Sequence, residues 1–123
     1  MPIHESGENY LETILILKEE KGAVRSVDIV EKLGYAKSSV SRAVNNLKKI
    51  GYISVSKDGR IDFTKKGIER AQSIYNRHKI ITDFLMAIGV SEENAEKDAC
   101  KLEHDLSSES IMAMEAFAEK HKV

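Results

Sequence analysis

Tryptophan is absent from this 123-residue chain, and cysteine and proline each occur once. A lone cysteine excludes an internal disulfide, so a reduced, cytoplasmic setting is expected. No apolar run approaches membrane-spanning length, and the N-terminus lacks a basic-then-apolar export signal, so neither membrane insertion nor secretion is expected. Low-complexity tracts and convincing internal repeats are also missing. What is present fits a soluble globular protein rich in charge: 41% hydrophobic and 32% charged residues. The length allows one domain, or one plus a small appendage, and a real core.

The net charge of −1 conceals a strong asymmetry. Residues 1–20 carry −4, residues 21–77 carry +8 and residues 78–123 carry −5. The basic middle is an electrostatic footprint for phosphate. The acidic ends suit cation binding or solubility.

That basic middle holds the most informative stretch, Ser26 to Gly51. It reads as two short helices broken at Leu33-Gly34-Tyr35. Val27, Val30 and Leu33 form the apolar stripe of the first, and Val40, Val44 and Leu47 that of the second. Gly34 suits the left-handed turn between them, and Ser38 and Ser39 offer oxygens to cap the second helix. This is a helix-turn-helix pattern. In a DNA major groove, the N-terminal residues of the second helix would face base edges. Those residues are Lys37, Ser38, Ser39, Ser41 and Arg42. A plain helical hairpin with a solvated face has the same spacing.

Before this stretch lie a loose arm over residues 1–6 and a helix from Ser6 or Gly7 to Glu20, with Leu11, Ile14 and Leu15 inside. Residues 23–26 form a link that can add one extended residue to a small sheet. After it, the period changes from 3.6 to 2. Ile53 and Val55 alternate with serines, and Ile61 and Phe63 with Arg60 and Asp62. Asp58-Gly59 signals a two-residue hairpin. The result is a wing with Lys57 and Arg60 at its tip, both candidate phosphate contacts.

Three more helices follow. The first runs from Lys65 to about Ile88, capped by Thr64, with Ile74, His78, Ile81, Leu85 and Ile88 on one face. The second runs from Ser91 to about Leu106. The third is capped at Ser107-Ser108. Its apolar residues, among them Ile111, Met112, Met114 and Phe117, cover more than one face, which suits a dimer contact. The expected fold is mainly α: a winged helix-turn-helix over residues 1–66, then a helical metal-binding and dimerisation domain over residues 67–123.

Residues 98–104 read DACKLEH. Cys100, Glu103 and His104 stand at i, i+3 and i+4 and point the same way, with Glu96 extending that face. Thiolate, carboxylate and imidazole together suit Fe, Mn, Co, Ni or Zn. Completing the site needs donors from elsewhere: His78, and Asn9 or Glu12 on the first helix. A lone cysteine is also an ordinary core residue, and a Glu-His pair is commonly solvated, so spacing leaves these readings level. No enzymatic constellation stands out, because Cys100 and His104 lack any oxyanion-hole loop. A winged-helix regulator without metal sensing, and a winged-helix protein-interaction module, fit the same pattern.

With those residues in hand, nearly the whole chain resembles the iron-dependent repressor family, which includes the diphtheria-toxin repressor and the manganese-transport repressors. The likeness runs through ENYLETILIL, the winged helix, YNRHKI and DACKLEHDLS. It implies a metal-activated homodimer that binds palindromic operator DNA of metal-uptake genes, with metal held between the two domains and Fe(II) or Mn(II) as corepressor. Glu103, His104 and His78 match metal ligands in both branches of the family. Cys100 matches the iron type and Glu12 the manganese type. Asn9 departs from both, since iron-type members have methionine there and manganese-type members aspartate. Glu96 and Thr82 fall at second-site positions of the iron type, and Thr82 does not match. The soft Cys100 favours Fe(II), with Zn, Co or Ni able to bind in vitro, and the hard Glu12 favours Mn(II). Ending at Val123, the chain is expected to lack the SH3-like third domain of longer members.

Overall fold

The computed structural model describes residues 5–121, which divide into two compact units, one ending at Gln72 and the other beginning at Ser73. The loose arm expected over residues 1–6 lies outside the described residues as far as position 4, and helix has begun by Glu5. In the first unit α1 (Glu5–Lys21), α2 (Ser26–Leu33) and α3 (Lys37–Lys49) precede two short strands, β1 (Ile53–Val55) and β2 (Ile61–Phe63). Helix α4 (Lys65–Ala87) begins in the first unit and ends in the second, which adds α5 (Glu92–Leu102) and α6 (Ser108–Lys120).

The core of the first unit follows the apolar spacing. Leu11, Ile14, Leu15 and Leu17 of α1 are buried, as are Val40, Val44 and Leu47 of α3. Helix α1 packs on α2 and α3, and α3 on β1. The stripe of α2 differs from expectation: Ile29 is fully buried while Val27 is 49% exposed. Eight residues make only two turns, and the face closed by Ile29, Val30 and Leu33 leaves the first-turn valine outside. Asp28 anchors the start of this helix. Its carboxylate accepts from Lys21 Nζ at 2.5 Å and from the Arg25 backbone N–H at 2.8 Å. These bonds, that of Lys21 foremost, hold its pKa below the usual range.

Two local details also depart from the sequence reading. Helix α3 starts at Lys37 with Ala36 as N-cap, and no side chain caps it. Ser38 and Ser39 therefore lie inside its first turn with their side chains exposed. The hairpin turns through three residues. Ser56 and Arg60 still pair, the Ser56 N–H donating to the Arg60 carbonyl at 2.9 Å, and the Gly59 N–H closes a turn onto the Ser56 carbonyl at 3.0 Å. Gly59 takes φ 85°, the left-handed position that follows a type I turn in such loops. Strand β2 pairs with β1 on one side, and Val24 adds an isolated antiparallel bridge to Ile61 on the other. The short link thus contributes its one extended residue.

Thr64 begins α4. Its Oγ1 accepts the Gly67 N–H at 3.1 Å and donates to the Gly51 carbonyl at 2.6 Å. The first turn of α4 thereby presses against the chain just before β1, where only glycine fits.

In the second unit, Ile80, Ile81, Ala99 and Ile111 form the core, with Leu85, Leu102, Leu106 and Met114 packed around it. Ser91 and Ser107 cap α5 and α6 as expected, accepting the N–H groups of Asn94 and Ser110. Helix α4 stops at Ala87 and leaves Ile88 54% exposed. Helix α5 stops at Leu102, four residues earlier than its apolar stripe suggested. The chain turns there so that Leu106 reaches the core and its carbonyl accepts from Arg77.

A Cβ at Gly67 would fall 1.7 Å from the backbone carbonyl oxygen of Tyr52. Backbone on both sides cannot yield cheaply, so Gly67→Ala is expected to destabilise the first unit by about 3 kcal/mol. Thermal unfolding followed by circular dichroism checks this, and a melting temperature equal to wild type would refute the close approach.

Candidate DNA-binding surface and metal centre

Helix α3 separates its residues cleanly. Val40, Val44 and Leu47 are buried, and Lys37, Ser38, Ser39, Ser41 and Arg42 are all exposed. The exposed set offers hydroxyl donors, hydroxyl acceptors and two cations near the helix N-terminus, which is the end that meets base edges in a helix-turn-helix. Lys57 and Arg60 are exposed at the hairpin loop. Arg60 Nε lies 3.8 Å from Asp62, itself held by Lys18 at 2.8 Å. Arg25 has a structural part that its sequence context did not signal. Its guanidinium reaches Asp58 Oδ2 at 3.1 Å, and its Nε donates to the Asp58 carbonyl at 3.2 Å. The loop is thereby tied to the start of α2.

Three of the metal candidates fall on two helices and a helix end. His78 lies in α4, Cys100 in the last turn of α5, and Glu103 at the C-cap of that helix, still with helical φ and ψ of −59° and −24°. Glu103 therefore keeps the i, i+3 relation to Cys100 although the helix has ended. One Glu103 oxygen, Oε2, lies 3.1 Å from Nδ1 of His78, and Sγ of Cys100 lies 3.9 Å from the same nitrogen. One ligand atom from each of the three lies within 4.8 Å of the others. Glu103 is 1% exposed. Its Oε1 accepts no hydrogen bond among the described residues and lies 3.4 Å from Nε2 of His104. The His104 side chain is 3% exposed.

The electrostatics of this cluster centre on His78. The His78 pKa is pushed up to about 10, first by its contact with Cys100 and then by Glu103, against the lowering effect of burial. Its imidazolium stabilises the metal-free fold fully below pH 6.5 or so, and this contribution fades as pH rises toward 10. A cation at Nδ1 must displace that proton, so metal and proton compete. The residues fit a metal: thiolate, imidazole and carboxylate on one ion stand about 3–4 Å apart at ordinary bond lengths. The buried, unbonded Glu103 oxygen gives independent support, because an unsatisfied buried carboxylate is costly.

The remaining candidates are placed within their own units. Glu96 is exposed and outside the three-donor group. Asn9 is exposed and Glu12 is 8% exposed, both on α1 of the first unit. Thr82 uses its hydroxyl within α4, donating to the His78 carbonyl at 2.8 Å.

A winged helix followed by a helical unit with this donor group defines a class: DNA-binding regulators that respond to a divalent metal. Comparison with known proteins gives the family. Residues 3–61 match the iron dependent repressor N-terminal DNA binding domain. Residues 64–123 match the iron dependent repressor metal binding and dimerisation domain. An HTH-type transcriptional regulator of Methanocaldococcus jannaschii is 37% identical over 96% of both chains. The HTH-type transcriptional regulator MntR of Geobacillus kaustophilus is 42% identical over 86% of this chain and 75% of its own. The solved structure of the manganese regulator SloR superposes with a TM-score of 0.80 at 28% identity, over 97% of this chain and 55% of that one. The chain belongs to the iron-dependent repressor family. That family consists of DNA-binding repressors, not enzymes. No described helix is long and apolar enough to cross a membrane.

Two experiments test the two surfaces. Arg42→Ala is expected to weaken binding to a selected duplex far more than to an unrelated one. Lys57→Ala should weaken both alike and lower the salt slope by about one. Equal behaviour of the two variants would contradict the division between reading and phosphate contact. For the metal cluster, Co(II) titration of wild type should give thiolate-to-metal charge-transfer absorption that Cys100→Ser lacks. The same band in that variant would remove Cys100 from the donor set.

Proposed function

We propose that this chain is a transcriptional repressor that binds palindromic operator DNA as a homodimer when Fe(II) or Mn(II) is held by His78, Cys100 and Glu103, with His104 beside them. The observation that carries the reading is the gathering of imidazole, thiolate and buried carboxylate in a chain that also exposes a basic reading helix. The thiolate favours Fe(II) over Mn(II), since manganese prefers oxygen donors. A bound cation would supply positive charge beside Glu103, where the His78 imidazole lies at 3.1 Å. His78, Glu103 and Cys100 would hold it through imidazole nitrogen, carboxylate oxygen and thiolate sulfur, with the His78 proton displaced.

Dimerisation has support in the second unit. Met86, Ile88, Met112 and Phe117 are 43%, 54%, 69% and 38% exposed. Phe117 stacks on His121 at 4.1 Å and meets Phe84 edge-on at 5.5 Å, so a ring pair stands ordered at the surface. Two copies bring two α3 helices, as a palindrome requires. Regulation requires that the metal bind the DNA-competent state more tightly, and a coupling of about 1–3 kcal/mol is typical.

The test is an anaerobic mobility shift. The duplex is one selected by the metal-loaded protein from a randomised pool. Fe(II) or Mn(II) should raise affinity about 5- to 150-fold, and chelator should reverse the effect. Equal affinity with and without metal would refute the corepressor role, and sedimentation of a monomer at the working concentration would refute the dimer.

A further inference from the structure

Tyr35 stands in the turn between α2 and α3, one residue before the N-cap Ala36, and its side chain is 53% exposed. Isolated exposed hydrophobic residues are common and mean little by themselves. This ring is set apart by how it is held and by what surrounds it. It forms an edge-to-face pair with Tyr10, with centroids 6.2 Å apart and planes at 67°, and Tyr10 is only 8% exposed. Attractive aromatic pairs adopt this geometry. The backbone beneath is fixed as well: the Gly34 N–H donates to the Val30 carbonyl at 2.8 Å, and Ala36 is extended at φ −63° and ψ 143°. The next residues are the exposed Lys37, Ser38 and Ser39.

We propose that the Tyr35 hydroxyl is a DNA phosphate contact, donating a hydrogen bond to a backbone oxygen at the lip of the groove that α3 enters, with Tyr10 as its positioning residue. The inference rests on the DNA-binding reading above. When the first residues of a recognition helix face base edges, the turn before it lies level with the sugar–phosphate strand. Tyrosine is among the side chains that serve there. Its ring is already ordered by Tyr10, so little side-chain freedom remains to be lost on binding. The phenol differs from Lys37 and Lys57 in being neutral. It adds affinity without neutralising a phosphate, so it releases no counterion and leaves the salt slope unchanged.

Tyr35→Phe keeps the ring and its contact with Tyr10, so the fold is retained and only the hydroxyl is lost. Metal-loaded wild type and variant are compared on the selected duplex and on an unrelated duplex of equal length, over a range of salt. The expected result is about tenfold weaker binding to both, the size of one hydrogen bond to a charged acceptor, with parallel salt slopes. Tyr35→Ala should lose at least as much. Binding by Tyr35→Phe equal to wild type on both duplexes overturns the inference. A loss confined to the selected duplex also overturns it, since the hydroxyl would then read a base. Wild type that binds neither duplex overturns the DNA-binding reading, and this inference with it.

Discussion

A carboxylate with almost no access to water sets the terms for the second unit. Glu103 is 1% exposed, and a bare anion in such a place is unfavourable by several kcal/mol. The fold compensates one oxygen with the His78 imidazole at 3.1 Å, while the other, 3.4 Å from His104, accepts no hydrogen bond among the described residues. The arrangement suits the proposed regulator because the carboxylate can be balanced by either of two cations. With His78 protonated, the pair is an internal salt bridge. Under the proposed function, a divalent cation would take the place of that proton and the same side chains would be its ligands.

The first unit solves a different problem with equally few residues. Its core side chains come from one face of each helix, so the opposite face of α3 is free to be polar. Charge is arranged to match. The stretch from residue 21 to 77 carries +8 while the chain as a whole carries −1. A polyanion would meet attraction at this surface and repulsion at the acidic remainder, which orients the encounter as well as strengthening it. The hairpin is too small to stand alone. Its paired strands, the Val24 bridge and the Lys18 contact to Asp62 fix it on the helices.

Most of this was legible in the sequence, because each element follows a strong periodic signal. The six helices, the hairpin and the single bridging residue of the link follow from apolar spacing and turn residues. Errors fell at element ends, where local and tertiary preferences compete. Val27 fits the stripe of α2 by spacing, yet Ile29 takes the buried place. Ser38 and Ser39 look like caps, yet α3 begins one residue before them. Leu106 continues the apolar stripe of α5, yet it reaches the core from a turn. The grouping of His78 with Cys100 and Glu103 needed more than periodicity, since 22 residues separate the first two. His78 stood out in the sequence as a histidine on an apolar face and a possible further donor, and the family resemblance pointed to it as a ligand. Arg25 had no signal at all, because its partner Asp58 is 33 positions away in a loop.

The Arg25–Asp58 pair has one further bearing on how the molecule would respond to its surroundings. Both side chains are about half exposed, 47% and 61%, so dissolved ions screen their attraction readily. Rising ionic strength would therefore loosen the wing's tether over the same range in which phosphate attraction weakens. The fall in DNA affinity would combine lost counterion release with lost preorganisation of Lys57 and Arg60. A count of phosphates taken from that slope alone would come out larger than the number of cations touching the duplex.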